Sequence, residues 1–260
     1  MTSEPLSSSA LASRSAAASR RVAVLQSNYI PWKGYFDIIR EVDLFIFYDD
    51  LQFTKNDWRN RNRIKSAHGT EWLTIPVGQG TDRLICEVSI GDPRWQQKHW
   101  RTLQQNYGAC PHFARYRPLF EDVFLGRRWT NLSELNQGLI RHIAHEFLGI
   151  RTRFADSREY ALHGQKQERL LDLLAQAGAT AYLSGPAARD YIAPERFEAA
   201  EITLEWKDYS GYPEYHQRFP PFEHRVSIVD LLFNVGPDAP YFIWGWREDP
   251  RAQGGGAVLG

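Results

Sequence analysis

Few cysteines, no net charge and no long apolar run set the first limits on this chain. Two cysteines, Cys86 and Cys110, in 260 residues form neither a disulfide framework nor a zinc signature, so we expect a reducing, cytoplasmic compartment. Lysine plus arginine equal aspartate plus glutamate at 31 each, which argues against broad binding to nucleic acid or an anionic membrane. No stretch approaches the ~18 consecutive apolar residues of a membrane span. We expect no metal, nucleic acid or membrane partner.

Composition places most of the chain in one globular domain with two tails. Hydrophobic residues make up 43% and charged residues 24%, as in ordinary soluble proteins. Residues 1–20 are rich in Ser and Ala and lack the apolar core of a secretory signal, so we expect a disordered N-terminal tail. Residues 249–260 are rich in Gly and are predicted to form a flexible C-terminal tail. Residues 21–248 then form a single α/β domain.

The first clear pattern is strand, helix, strand. The run "RVAVLQS" (21–27) is a short β-branched strand, "KGYFDIIREV" (33–42) has apolar residues at helical spacing, and "DLFIFYDD" (43–50) is a second apolar strand. Continuous apolar strands joined by a helix are typical of a parallel sheet covered on both faces. The pattern therefore predicts a Rossmann-like, mostly parallel sheet with helices on both faces.

The remaining elements extend this prediction, with strands clustered early and a largely helical second half. Further strands are predicted at "TEWLTIPV" (70–77), "LICEVSI" (84–90), "TAYLSG" (180–185) and "EITLEWKDY" (201–209). Helices are predicted at 93–107, 132–148, "QERLLDLLAQAGA" (167–179) and "SIVDLLFNVG" (227–236).

A segment rich in amides and aromatics follows the first strand, where a parallel sheet binds ligands. Its amides and hydroxyl offer hydrogen bonds beside a helix N-terminus, its rings offer stacking to a base or sugar, and its lysine offers a charge for phosphate. The alternative is a loop held rigid by aromatic packing, with amides that cap its own helix. The candidate binding residues are Gln26, Ser27, Asn28, Tyr29, Trp32, Lys33 and Tyr35.

A second segment, "YDDLQFTKNDWRNRNRIK" (48–65), follows the second strand and should open onto the same edge of the sheet. Its arginines and amides suit phosphates, carboxylates and sugar hydroxyls. A solvated basic loop is an equal alternative, although a tryptophan within the run argues against full solvation. The candidate binding residues are Asp50, Gln52, Asp57, Trp58, Arg59, Asn60, Arg61 and Lys65.

Three residues are candidates for catalysis. Asp49 and His99 are candidate general bases, and Lys33 is placed to meet a phosphate or activate an amine. A turn-forming aspartate and a structural histidine are the competing interpretations. Ser184 and Gly185 lie at a turn after a later strand, where they are predicted to line the crevice at the same edge of the sheet. The alternative is a tight strand-to-helix turn with nothing bound. His142 and His145 lack a third ligand at matching spacing, so we predict no metal site.

The stretch "VAVLQSNYIPWKGYFDIIREVDLFIFYDDLQFTKNDWRNRNRIK" resembles the WbqC-like protein family. The resemblance continues through "WLTIPV", "KHWRTLQQNYGACPHF", "YLSGPAARDYI" and "SIVDLLFNVG", and so covers about residues 21–236. It implies a role in bacterial surface polysaccharide, including O-antigen and lipopolysaccharide, or in amino-sugar biosynthesis. We expect a transferase that forms an amide, by acyl or aminoacyl transfer, on a nucleotide-linked amino sugar. The implied donor is an ATP-activated acid or an acyl or aminoacyl thioester, which an acyl carrier protein could present.

Two other functions remain open. The segment "PWKGYFDII" after the first strand is similar to the "HxGH" loop of nucleotidyltransferases, which suggests ATP-dependent nucleotidyl or adenylyl transfer. Trp32 and Tyr35 stand where that motif has histidines, so the charge stabilisation those histidines provide is missing. The third possibility is a non-catalytic ligand-binding or scaffold protein.

Overall fold

The computed structural model describes residues 19–249. The predicted tails lie almost entirely outside these residues, so the predicted domain bounds stay predictions. The strands are β1 (Arg21–Leu25), β2 (Leu44–Phe47), β3 (Arg61–Ser66), β4 (Gly69–Thr74), β5 (Arg153–Asp156), β6 (Ala181–Ser184) and β7 (Thr203–Trp206). The helices are α1 (Lys33–Arg40), α2 (Arg94–Tyr107), α3 (Phe113–Glu121), α4 (Leu132–His142), α5 (Lys166–Gln176), α6 (Pro194–Ala199) and α7 (Ile228–Val235).

Five strands form one parallel sheet in the order β5-β2-β1-β6-β7. Numbered along the chain within this sheet alone, the order is 3-2-1-4-5, which is a doubly wound arrangement. The chain builds outward from β1 to β5, then returns to the other side of β1 with β6. Residues 24–26 and 182–185 therefore flank the switch point, where the strand order reverses and where such sheets bind ligands.

Each face of the sheet is covered by helices, as the apolar strands predict. Ala23, Phe45 and Phe47 belong to a large core with α1, α2, α4 and α7. Val24 and Ile46, one residue out of phase, belong to a smaller core with α5 and α6. Alternate residues of one strand point to opposite faces, so continuous apolar strands serve both cores.

Several predicted elements differ from those observed. The run 84–90 is not a strand: only a 3-10 turn, Ile85–Glu87, forms there, and the Leu84 N–H donates to Glu87 Oε2 at 2.9 Å. The predicted strand at 70–77 is β4, but it pairs with β3 in a separate hairpin. Two observed strands were not predicted: β3 lies within a run interpreted as a basic loop, and β5 is short and carries charged residues at both ends.

Helices α4 to α7 dominate the second half of the described chain, together with three short strands. The predicted helix 132–148 is α4 followed by a π-helical turn, Ile143–Phe147. Between residues 19 and 249, none of the helices has the length and apolar character needed to cross a lipid bilayer.

Candidate functional site

The two segments that follow β1 and β2 meet in the structure. The Tyr29 N–H donates to the Trp58 carbonyl at 2.9 Å. The Asn62 amide donates to the carbonyls of Tyr29 and Ile30 at 3.0 and 2.9 Å. From α4, the Asn136 amide donates to the Arg59 carbonyl at 2.8 Å and to Ser27 Oγ at 3.5 Å. Much of this junction is closed by hydrogen bonds within the protein.

Asp49 is fully buried at the centre of that junction. The Ser27 N–H donates to its Oδ1 at 2.7 Å, while Ser133 Oγ and the Gln137 amide, the latter at 3.0 Å, donate to Oδ2. The Gln137 amide also donates at 2.8 Å to Oδ2 of Asp156, the last residue of β5. Both Asp49 oxygens are thus engaged in joining β1, β2 and α4. A role for Asp49 as a general base stays a prediction.

Other acidic and polar candidates of the second segment also have partners within the chain. Asp50 accepts from Ser157 Oγ and from Arg169 Nη2, the latter at 2.5 Å. Asp57 pairs with Arg59 at 2.8 Å. Gln52 is exposed and forms a short antiparallel bridge with Leu84. These contacts order the segment without occupying the crevice described below.

Lys33 is enclosed by aromatic rings. Its Nζ lies 4.9, 5.4 and 5.9 Å from the ring centroids of Tyr212, Tyr215 and Phe222, and donates weakly to the Pro213 carbonyl at 3.4 Å. Burial lowers the pKa of Lys33 to about 8, against the opposing charges of Asp230 and Asp37. A lysine with this pKa is partly neutral near physiological pH, which agrees with the predicted amine chemistry but also with a structural cation–π contact.

His99 lies on α2, in the larger core. Its Nδ1 is 2.9 Å from the Tyr29 hydroxyl, and its ring packs against Trp95 and Phe124. Burial lowers the pKa of His99 to about 4, so the imidazole is neutral at pH 7. Its nearest surface hollow is a small one beside β4, lined also by Trp72 and Thr102. A catalytic role for His99 stays a prediction.

The N-terminus of α1 is covered by aromatic side chains. Trp32 packs edge-on against Tyr209 and Tyr212, with ring centroids 5.3 and 6.0 Å apart. A Cβ at Gly34 would lie 2.3 Å from the Trp32 ring, so glycine is required there for this packing. The Tyr35 hydroxyl donates to the Gln26 carbonyl at 2.9 Å. The aromatic residues of this segment thus pack against the chain itself.

The basic residues of the second segment contact other parts of the chain. On the β3–β4 hairpin, the Arg61 guanidinium lies 4.2 Å from the Trp72 ring centroid, and Trp72 lies beside the half-exposed Trp58. Lys65 is buried, and its ammonium donates to the Pro221 carbonyl at 2.6 Å. The Asn60 amide donates to the Ile75 carbonyl at 3.0 Å. Their assignment as phosphate ligands stays a prediction.

A cavity of about 970 Å³ opens at the switch point, which we call the crevice. Its floor is formed by the ends of β1 and β6, with Tyr48 and Leu51 beyond β2. One wall is the start of α5, and the other is the short helical turn at residues 186–190 with the residues that follow it. The predicted residues that line the crevice are Gln26, Ser184 and Gly185.

The crevice combines tyrosines, amides and one ion pair. Tyr48 and Tyr182 are buried in its floor, and burial raises the pKa of both, that of Tyr182 to about 12. The side-chain amides of Gln26 and Gln165 line it and have no hydrogen-bond partner among residues 19–249. Arg196 Nη2 pairs with Glu168 Oε1 at 3.0 Å at the rim. Large aromatic surface with a few polar groups is typical of a small-molecule site.

Sequence reasoning missed the far wall of the crevice. Gln165, Tyr191 and Arg196 lie more than 100 residues after β1, and of the three only Tyr191 falls within a stretch that carries the family resemblance, "YLSGPAARDYI". The parallel topology was the one signal that could have located this wall. In a doubly wound sheet the chain returns to the free side of β1, so the strand placed there, β6, and the residues after it lie beside the end of β1. In the part of the chain that the structure describes, no group of three or more His, Cys, Asp or Glu side chains is arranged to hold a metal ion.

The fold and the crevice define a doubly wound α/β protein with a cavity at its switch point. The chain belongs to the WbqC-like protein family, whose model matches residues 26–241. It is 49% identical over 227 residues to the "Uncharacterized protein Rv1507c" of Mycobacterium tuberculosis (strain ATCC 25618 / H37Rv). That match covers 86% of this chain and 97% of the relative. No solved structure is significantly similar to the chain.

Proposed function

We propose that this protein is a transferase that forms an amide on a nucleotide-linked amino sugar, in the cytoplasmic synthesis of a bacterial surface glycan. The crevice at the switch point is the observation that carries this proposal. Its volume of about 970 Å³ lies at the upper end of the range for small-molecule sites, about 300–1,000 Å³. A nucleotide sugar, with a base, two sugars and a diphosphate, needs a cavity of that size. The family resemblance supplies the expected class of reaction.

The reaction we propose joins the sugar amine to an activated acyl or aminoacyl group. The amine nitrogen attacks the carbonyl carbon of a thioester, the C–N bond forms, the C–S bond breaks, and the thiol leaves with a proton lost by the amine. Negative charge develops on the carbonyl oxygen in the intermediate, and a donor aimed at that oxygen accelerates the step.

Tyr48 is the crevice residue best suited to donate to that oxygen. It lies in the floor just after β2, and burial raises the pKa of its phenol, opposed by the adjacent Arg169. The guanidinium of Arg169 is 5.3 Å from the Tyr48 ring centroid and is held by Asp50. A phenol with a raised pKa remains protonated at neutral pH, so it serves as a hydrogen-bond donor and not as a base.

The test is an assay of amide formation. The purified chain is incubated with uridine diphosphate-linked 2-amino and 3-amino sugars and with acyl or aminoacyl coenzyme A thioesters. We expect thiol release and a product heavier by the acyl group, detected by mass spectrometry. Tyr48→Phe should lower kcat by about 10²-fold with little change in KM, because the lost bond stabilises mainly the transition state.

Two tryptophan substitutions, each at an exposed alanine, test whether the reaction takes place in the crevice. Ala187 is exposed and lines the crevice, so Ala187→Trp should block it without disturbing the core. Ala199 is exposed on α6 outside the crevice, and Ala199→Trp is the matched control. Equal activity of the two variants would place the reaction elsewhere. Absence of product with all amino sugars and both thioester and ATP-activated donors would overturn the proposed function.

A further inference from the structure

The crevice has an aromatic side chain at its mouth that the protein leaves uncovered. Tyr191 lines the crevice, yet its relative exposure is 75%, while Tyr48 and Tyr182 in the floor are 9% and 4% exposed. Its ring forms no aromatic pair with another ring among residues 19–249. Leaving an aromatic side chain in water forgoes the free energy of its burial, so a partner that covers it gains that free energy.

The backbone around Tyr191 is held although the ring is free. The N–H groups of Tyr191 and Ile192 donate to the Ala188 carbonyl at 3.2 and 3.0 Å. The Gln167 side chain, on the first turn of α5, donates to the Ala193 carbonyl at 2.8 Å and accepts from its N–H at 3.0 Å. This pair of bonds ties the two walls of the crevice together. The Tyr191 ring is therefore presented at the mouth by a fixed segment.

The polar groups of the crevice suggest what the ring covers. The amides of Gln26 and Gln165 each offer one acceptor and two donors, and neither is used within the described chain. Amide side chains pair with the edges of nucleobases through adjacent donor and acceptor groups. A flat ligand with alternating donors and acceptors at its edge would satisfy both the ring and the amides.

We propose that Tyr191 stacks on the base of a nucleotide, with Gln26 reading the edge of that base. This inference deepens the proposed function, on whose nucleotide-linked substrate it rests, and adds that the base is recognised between Tyr191 at the crevice mouth and Gln26 at the end of β1. The sugar and its amine then extend toward Ser184 and Tyr48, where the reaction is proposed to occur.

The test uses nucleosides as probes, so it does not require turnover. Isothermal titration calorimetry measures the binding of uridine, thymidine, adenosine and guanosine to the full chain and its variants. We expect at least one nucleoside to bind the wild type in the millimolar range or tighter. Tyr191→Ala should weaken that binding about tenfold, as loss of one base–aromatic stack does. Tyr191→Phe should bind as the wild type does.

Two controls separate stacking from a general defect. Tyr241 is 38% exposed and lies outside the crevice, so Tyr241→Ala should leave nucleoside binding unchanged. Ribose 5-phosphate has no base, and its weaker binding should be insensitive to Tyr191→Ala. Gln26→Leu should reduce the preference among the four nucleosides, while Tyr191→Ala weakens all of them alike.

Defined outcomes overturn the inference. Failure of all four nucleosides to bind the wild type overturns it, as does equal binding by Tyr191→Ala. An equal loss for ribose 5-phosphate would show that Tyr191 contacts something other than a base. If nucleosides bind as expected but no amide forms with any donor, the inference stands and the proposed reaction fails, so the two failures are distinguishable.

Discussion

At the scale of single residues, burial decides which polar side chains are free for a ligand. Asp49, Lys33 and His99 all have the chemistry of catalytic groups, and the sequence patterns pointed to them for that reason. Each is buried, with exposures of 0%, 3% and 3%, and each contacts other residues of the chain. The unused amides of Gln26 and Gln165 have less distinctive chemistry but face the crevice.

His99 should make stability depend on pH. Its pKa is about 4 in the folded protein and about 6.5 in an unfolded chain, so the unfolded state binds the proton more readily between these values. The contribution of His99 to the free energy of unfolding is fully present above pH 6.5 and is lost as pH falls toward 4. The loss amounts to at most ~3 kcal/mol. Urea unfolding of the wild type and His99→Gln should show a smaller loss in the variant between pH 7 and 4.5.

The exposed His163 offers a control for that experiment. His163→Gln should lose as much stability on acidification as the wild type does. If the pH dependence of stability is unchanged in His99→Gln, the folded protein binds a proton at His99 as readily as the unfolded chain does, which contradicts the lowered pKa.

Lys33 should make the free energy of unfolding depend on pH in the alkaline range. Burial lowers the pKa of Lys33 to about 8, so the unfolded chain binds the proton more readily from about pH 8 up to about 10.4. The free energy of unfolding should therefore rise with pH across this range. Lys33→Met keeps the length of the side chain and should remove that rise, because no ammonium then has to lose water on folding. Chemical unfolding at pH 7.5 and 9.5 measures the difference.

One result would contradict the enclosure of Lys33 by aromatic rings. If Lys33→Met and the wild type gain the same stability between pH 7.5 and 9.5, the ammonium is hydrated in the folded protein, and the aromatic enclosure does not hold.

At the scale of elements, the local sequence pattern predicted whether a segment is a helix or a strand better than it predicted which strands pair. The apolar runs of β1 and β2 and the spacing of α1 predicted a parallel unit, and the sheet contains it. The apolar run of β4 was read as a strand, yet it pairs with β3 outside the main sheet. Periodicity reports which face of an element is buried, but the pairing partner depends on chain connections that no local window contains.

Asn131, at the start of α4, links this helix to the segment that contains Cys86. Asn131 caps the helix by accepting from the Glu134 N–H at 3.0 Å, and its amide donates to the Cys86 carbonyl at 2.7 Å. Asn131→Ala should lower the free energy of unfolding by about 1–2 kcal/mol, since it removes a cap and leaves a carbonyl unpaired. Urea unfolding followed by circular dichroism measures this.

A second hydrogen bond at a helix start provides the comparison for Asn131. Asp92 precedes α2 and accepts from the Arg94 N–H at 2.9 Å in an exposed bond, which water replaces when it is lost. Asp92→Ala should cost less than Asn131→Ala. A larger loss for Asp92→Ala would contradict the importance assigned to the Cys86 carbonyl as the partner of Asn131.

At the scale of the whole molecule, one buried carboxylate joins four distant parts of the chain. Asp37 on α1 is fully buried and pairs with Lys207 at 2.9 Å and with Arg247 at 2.8 Å, and it accepts from the Tyr212 hydroxyl at 2.5 Å. These partners come from the end of β7, the segment that encloses Lys33, and the last turn of the described chain. None of this was visible in the sequence, because ion pairs across 170 or more residues leave no local pattern.

Asp37→Asn should therefore destabilise the protein strongly. Lys207 is 4% exposed and would keep its charge beside a neutral amide, with Glu41 as its remaining partner. Removing one member of a buried ion pair costs about 3–5 kcal/mol. The free energy of unfolding in urea, with Glu248→Gln at an exposed pair as the control, measures the loss. A cost below about 1 kcal/mol would show that water reaches this cluster.

The doubly wound order of the sheet has a practical consequence for anyone who divides this gene. Both candidate binding segments end by residue 65, so a fragment comprising residues 21–150 would carry both of them. Yet β6, α5 and Tyr191 would be missing, and β1 would have no neighbour on the side where the crevice lies. Such a fragment would retain both candidate segments but lack most of the crevice in which we propose that a nucleoside binds.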